Sequence, residues 1–367
     1  MASAAGRGSL AAGVTFPRSY AEARQRFRRA AAAAGAALDA LPLAGRGREG
    51  EALAIDIARL GSGGPALLIL SGLHGVEGFA GSVVQARWLA RARDAAGMTL
   101  VFVHAVNPWG FSWGSRCDAR NVDLNRNLLE DFAPPPANPG YAAIHPILAA
   151  PAWGEAALAR QEAALADYAA RHGAQALTDA MIGGQYDIAD GLNYGGDALA
   201  WPVRMLCDLA SDLARRHLAL LLLDLHTGIA RHGEAAVLPF AGATAPAARH
   251  LLTAGGDARF SLGAPGLASM TGVLAAGLPR RVAPVPMLSA VVEFGTVDRA
   301  VIRRALRLDL ALRVAPPADP ALAEAARAQV VEAFWPSDPA WRAGLLSLAD
   351  ALIEACTGEA VAAALAG

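Results

Sequence analysis

The sequence predicts an α/β fold, a mixed and largely parallel sheet with helices on both faces. Six apolar runs have strand length and are bounded by Gly or Pro, and several are separated by Ala- and Leu-rich stretches long enough for helices. The runs read as continuous hydrocarbon, as expected of strands whose two faces are both covered.

A basic amphipathic helix is predicted over 20–38. ALAIDIARL (52–60), PALLILSG (65–72) and TLVFVHAV (99–106) follow as strands. APPPANPG (133–140) stiffens the backbone and opens a helical insertion around 134–200, in which WGEAALARQEAALADYAARHG (153–173) reads as a surface helix. The Gly-rich GGQYDIADGLNYGG (183–196) reads as a loop able to act as a lid. LALLLLDLH (218–226), AAVLPFAGA (235–243) and LSAVVEFG (288–295) complete the strands, and 339–367 is a final Ala-rich helical segment on the outside of the fold. With no self-similar period and no low-complexity linker, 1–367 is read as one domain carrying the insertion.

A net charge of −1 offers no field to gather nucleic acid or an anionic membrane, which points to a small-molecule or short-peptide partner. No run offers about 18 uninterrupted apolar residues, and the first 20 residues lack the apolar core of a secretory signal, so a cytoplasmic location is expected. No lysine occurs, so all 32 fixed side-chain cations are arginines and Schiff-base chemistry is excluded. Cys117, Cys207 and Cys356 form no CxxC or CxxH pattern and read as unpaired thiols.

Three apolar runs end in groups that a metal or a proton could use: His74 and Glu77 after LLIL, His226 after LLLLDL, and Glu293 in SAVVEFG. In open α/β sheets ligands bind beyond the carboxyl ends of strands, where these residues converge if the strands are parallel neighbours. Two imidazoles and one carboxylate suit a zinc ion with a position left for water, and a further glutamate can take that water's proton. A single histidine after a strand is most often structural and HxxE alone is a weak signal; the repetition on independent strands carries the reading. NPWGFSWGSRCDARNVDLNRN (107–127) adds Arg116, Arg120, Asp123, Asn125 and Arg126, of which an Arg with an Asn suits a substrate carboxylate and another Arg suits an oxyanion.

In order, HGVEG, NPWGF with its downstream arginine, VDLNRN, DLHTG and VVEFGT resemble the zinc metallocarboxypeptidase superfamily over 71–296. The motif style is similar to an uncharacterised bacterial carboxypeptidase-like branch and to aspartoacylase and succinylglutamate desuccinylase. The resemblance implies one Zn2+ per chain on His74, Glu77 and His226, with Glu293 as general base. It places Arg116 at the oxyanion with Arg120 as the neighbouring alternative, Asn125 and Arg126 at the substrate carboxylate, and Asp123 behind the His74 imidazole. Relatives of the carboxypeptidase type place a substrate-covering tyrosine between the third ligand and the base. None lies between His226 and Glu293 here, which makes Tyr194, or Tyr186, the candidate to cover the substrate.

The implied activity is hydrolysis of an amide bond next to a free carboxylate, as an N-acyl-amino-acid deacylase or a carboxypeptidase-like enzyme. The alternative is a non-catalytic metal- or ligand-binding protein that keeps the fold. Homo-oligomerisation is compatible with either.

Overall fold

A computed structural model describes residues 16–91, 97–150, 153–264, 266 and 268–365. Its strands are β1 (Ala37–Arg46), β2 (Ala52–Gly61), β3 (Ala66–Ser71), β4 (Thr99–His104), β5 (Leu220–Thr227), β6 (Ala235–Ala241), β7 (Phe260–Leu262) and β8 (Met287–Phe294). They form one mixed sheet in the order β1-β2-β4-β3-β5-β8-β6-β7. The central strands β4, β3, β5 and β8 run parallel, whereas β2 and β6 join this block antiparallel from either side.

Every residue of β3, β4, β5 and β8 is buried, so the pleat sends alternate side chains into two cores. Leu67, Ile69, Leu221 and Leu223 pack on one face with α1 (Tyr20–Ala33), α2 (Gly78–Arg91) and α12 (Pro339–Ala355). The short α3 (Pro108–Trp113) contributes Phe111 to that core, and α8 (Pro246–Leu252) and α13 (Gly358–Leu365) close the same face. Leu68, Leu70 and Leu222 pack on the other with α7 (Trp201–Arg216) and α9 (Leu274–Val282). A third apolar cluster joins α4 (Pro139–Ala149), α5 (Glu155–His172) and α6 (Ala174–Ile182) to α10 (Arg299–Val314) and α11 (Pro320–Phe334). The surface helix expected within the insertion is α5, which buries Leu158 and Leu165 in this cluster.

The predicted helix over 20–38 stops at Ala33. Gly35 takes φ 72°, a left-handed conformation open to glycine, and Leu38 falls in β1. That strand escapes the sequence pattern because it lies at the sheet edge, mostly exposed, with its ladder shifted between Pro42 and Arg46. The three-residue β7 is too short to show any period. In the final segment, α12 buries Trp341, Leu345 and Leu352 as an outer layer on the sheet. The three cysteines are buried and unpaired. Among the described residues, no helix is long and apolar enough to cross a membrane.

Candidate metal centre

The site forms where parallel strands end. β3 exits at Ser71 into a single 3-10 turn, Gly75–Glu77, which runs directly into α2 and turns His74 and Glu77 toward the same point. This turn packs so tightly on α3 that a Cβ at Gly75 would lie 2.1 Å from the Gly110 carbonyl carbon, so only glycine fits. On the neighbouring strands, His226 of β5 stands directly opposite Glu293 of β8 in the parallel register. Sheet pairing therefore places the third candidate donor, the His226 imidazole, beside Glu293.

Ligand atoms of His74, Glu77 and His226 lie within 4.8 Å of one another, and all three residues are buried. His74 Nδ1 is 3.0 Å from Glu77 Oε1, His226 Nδ1 is 2.9 Å from Glu77 Oε2, and the two Nδ1 atoms are 3.1 Å apart. Ligands about 2.05 Å from a tetrahedral zinc are separated by roughly 3.3 Å, so this triangle is close to the size such an ion requires. The Thr227 N–H donates to Glu77 Oε2 at 3.1 Å and fixes the carboxylate.

The far nitrogens of both imidazoles face carboxylates. His74 Nε2 lies 3.1 Å from Asp123 Oδ1. His226 Nε2 lies 2.9 Å from Asp224 Oδ2, at ion-pair distance but off the line a hydrogen bond needs. This arrangement aims each Nδ1 at the centre. Burial would push the His226 imidazole down, but the Asp224 and Glu77 carboxylates outweigh it and hold it well above its ordinary value. Burial would likewise raise Glu77 and Asp123. The two imidazoles hold Glu77 below the usual carboxylate range, and Arg116 with His74 does the same for Asp123. The Glu77, Asp123 and Asp224 carboxylates thus surround the two imidazoles, a donor set that suits a divalent cation.

Arg116 donates from Nε and Nη2 to Asp123 Oδ2 at 3.2 and 3.1 Å, from Nε to Asn193 Oδ1 at 3.1 Å, and reaches Glu77 Oε1 at 3.4 Å through Nη1. Arg120 points away: it is two-thirds exposed and pairs with Asp197. Arg126 is buried, donating to the carbonyls of Ile182 and Asn125. Among the described residues, no carboxylate lies within ion-pair distance of it. The Asn125 side chain accepts from the Leu274 N–H through Oδ1 at 3.0 Å, which leaves its NH2 as the donor end.

His74, Glu77, Arg116, Asn125, Arg126 and Glu293 line one cavity of ≈ 390 Å3. Glu293 is buried there with one weak contact, from the Ile229 N–H to Oε2 at 3.4 Å, and burial, aided by the Glu77 charge, pushes its carboxyl up to about 7. Tyr194 is not brought to this cavity, contrary to its expected place over a substrate. Its ring packs into the core under α7, and its carbonyl accepts from the Asp123 N–H at 2.7 Å, so it braces the loop that carries Asp123. Tyr186 braces the same loop through an Oη donation to the Arg126 carbonyl at 2.6 Å.

Sequence reasoning passed over Asp224, although a charged residue inside a strand-length apolar run was a visible signal. It also passed over Asn193, which takes φ 51° and places its Oδ1 on Arg116; nothing short of the tertiary structure pointed to it.

No curated protein matches the chain. Among solved structures, one similar chain is a protein of Shewanella amazonensis SB2B provisionally named a metallopeptidase, at 15% identity over 85% of this chain and 92% of that one, with a TM-score of 0.43. Carboxypeptidase A of Helicoverpa armigera is 14% identical over 89% and 76%, with a TM-score of 0.46. The succinylglutamate desuccinylase of Chromobacterium violaceum is 14% identical over 88% and 76%, with a TM-score of 0.38. The family described as "Protein of unknown function (DUF2817)" matches residues 16–348, and the chain belongs to that family.

Proposed function

We propose that this protein is a zinc-dependent hydrolase, with one ion per chain, that cleaves an amide bond next to a substrate carboxylate. The observation that carries the reading is the convergence of two Nδ1 atoms and a carboxylate beside Glu293, in a cavity that also holds Arg126, which has no carboxylate within ion-pair distance among the described residues. His74, Glu77 and His226 would hold the zinc, which when bound lowers the pKa of a coordinated water and polarises a carbonyl.

The chain's own groups would do the rest. Glu293 sits near the middle of the pH scale because burial disfavours its charge, so its carboxylate can take a proton from the attacking water and return it to the leaving amine. Arg116, fixed by Asp123 and Asn193, presents a guanidinium where charge develops on the carbonyl oxygen. The Arg126 guanidinium and the Asn125 NH2 would bind the substrate carboxylate, an anion at ion-pair distance that Arg126 does not have among the described residues.

The test pairs metal content with hydrolysis, on wild type and Glu293→Gln, over N-acyl amino acids and C-terminal dipeptides. About one zinc per chain, with turnover lost and metal retained in the variant, is the expected result. Protein that takes up no zinc, or a Glu293→Gln variant as active as wild type, removes the reading.

A further inference from the structure

We propose that the cavity takes a small amide carrying one carboxylate and one flexible aliphatic chain, and rejects the C-terminal end of a polypeptide. This narrows the substrate of the hydrolase reading and rests on its assignment of the carboxylate to Arg126. The floor of the cavity is hydrocarbon from close beside the base. Val291 lies two residues before Glu293 on the same face of β8, roughly 7 Å away, and pairs in register with Leu238 of β6. More of the lining comes from the insertion, whose α6 contributes Leu177 and Met181. Met270 lies at the polar end, with its Sδ 3.2 Å from Arg126 Nη2. Thioether side chains adapt their shape to a linear chain.

Helices α5 and α10 meet at the cavity. Glu162 of α5 accepts from Arg307 of α10 at 2.6 Å and from Arg303 at 3.3 Å, and Glu155, two turns earlier on α5, pairs with Arg304. These contacts link α5 to α10 where Glu162 and Arg303 line the cavity, whose metal-donor candidates and Arg126 are all at least nine-tenths buried. A peptide running along the Val291, Leu238, Leu177 and Met181 hydrocarbon would leave N–H and C=O groups unpaired there, at a cost of about 1–3 kcal/mol per unpaired group, with partners offered where Glu162, Thr178 and Arg303 join the lining. An aliphatic chain meets no such penalty. It gains about fourfold in affinity for each methylene buried.

Titration calorimetry on zinc-supplemented Glu293→Gln protein reads this without turnover. One series lengthens the acyl group from acetyl to octanoyl on glycine. A second lengthens the side chain at fixed N-acetyl, from alanine to norleucine, and the arm that responds identifies which part of the substrate supplies the chain. Affinity is expected to climb about fourfold per methylene in one series until the cavity fills, and to fall at least tenfold on methyl-esterifying the carboxylate. A pentapeptide with the same terminal residue is expected to bind at least tenfold more weakly. Leu177→Arg, on a half-buried face of α6, should flatten the chain-length dependence while keeping the ester effect. Affinity independent of chain length in both series, or equal binding of the pentapeptide, overturns the proposal. Binding as expected with no hydrolysis by wild type removes the hydrolase reading instead and leaves this one standing.

Discussion

Replacing Asp224 by Asn tests whether the carboxylate behind His226 organises the metal centre. The substitution keeps the side-chain shape and removes a charge that is fully buried and within ion-pair distance of only His226 Nε2 among the described residues. With Nδ1 on zinc the His226 ring is neutral and its Nε2–H faces the carboxylate at 2.9 Å, so Asp224 acts by polarising and steadying the ring rather than as half of an ion pair. Loss of such an outer partner typically weakens metal affinity about 10- to 100-fold, or about 1.4–2.7 kcal/mol. Two assays read the same quantity. Chelator competition gives the zinc Kd directly, and in excess zinc the added stability of the variant over its metal-free form should shrink by that same 1.4–2.7 kcal/mol. An unchanged zinc Kd with an intact fold would refute the reasoning, because it would mean that neighbouring contacts alone aim His226 Nδ1.

Two further outcomes follow from buried groups. His104, stacked on Phe27 and bonded through Nε2 to Ser82 Oγ at 2.9 Å, is held by burial at about 4 against an ordinary 6.5. The unfolded chain therefore binds this proton first, and the contribution of neutral His104, complete above pH 6.5, is lost as the pH falls toward 4. Denaturant titrations of wild type and His104→Gln at pH 7 and 4.5 should differ in pH sensitivity by about 2–3 kcal/mol, wild type losing more; parallel losses would contradict the assignment. If the proposed hydrolase reading holds, Arg116→Gln is expected to cut kcat by about 10²–10³, whereas exposed Arg120→Gln should stay within about twofold. Equal effects would show that the arginine facing the oxyanion has been misassigned.

Much of the site was legible in the one-dimensional pattern because of where the residues sit on strands. Strands β3, β5 and β8 are buried on both faces, so each appears as unbroken hydrocarbon, and a His or Glu at its end stands out as a break in composition. The motif order then associated His74, Glu77, His226 and Glu293 before any pairing was known. Asp224 carried the same signal and was overlooked, since one acid within a leucine run can be read as part of the strand's end. Edge strand β1 was hidden for the opposite reason: exposed on its outer side and interrupted by Pro42, it has no apolar period to detect.

The sequence by itself determined the α/β class, the central strands and the types of donor available, because burial and hydrogen-bonding chemistry act residue by residue. Only the tertiary structure decided their relations. The β5–β8 register set His226 against Glu293, the turn after β3 closed the donor triangle, and Asp123 and Asn193 selected Arg116 over Arg120 as the guanidinium at the cavity. Tyr194 went to the core, and α5, α6 and α10 shaped the space above the donors. These choices depend on contacts between residues tens to hundreds of positions apart, whose geometry exists only once the sheet has paired and the helices have packed upon it.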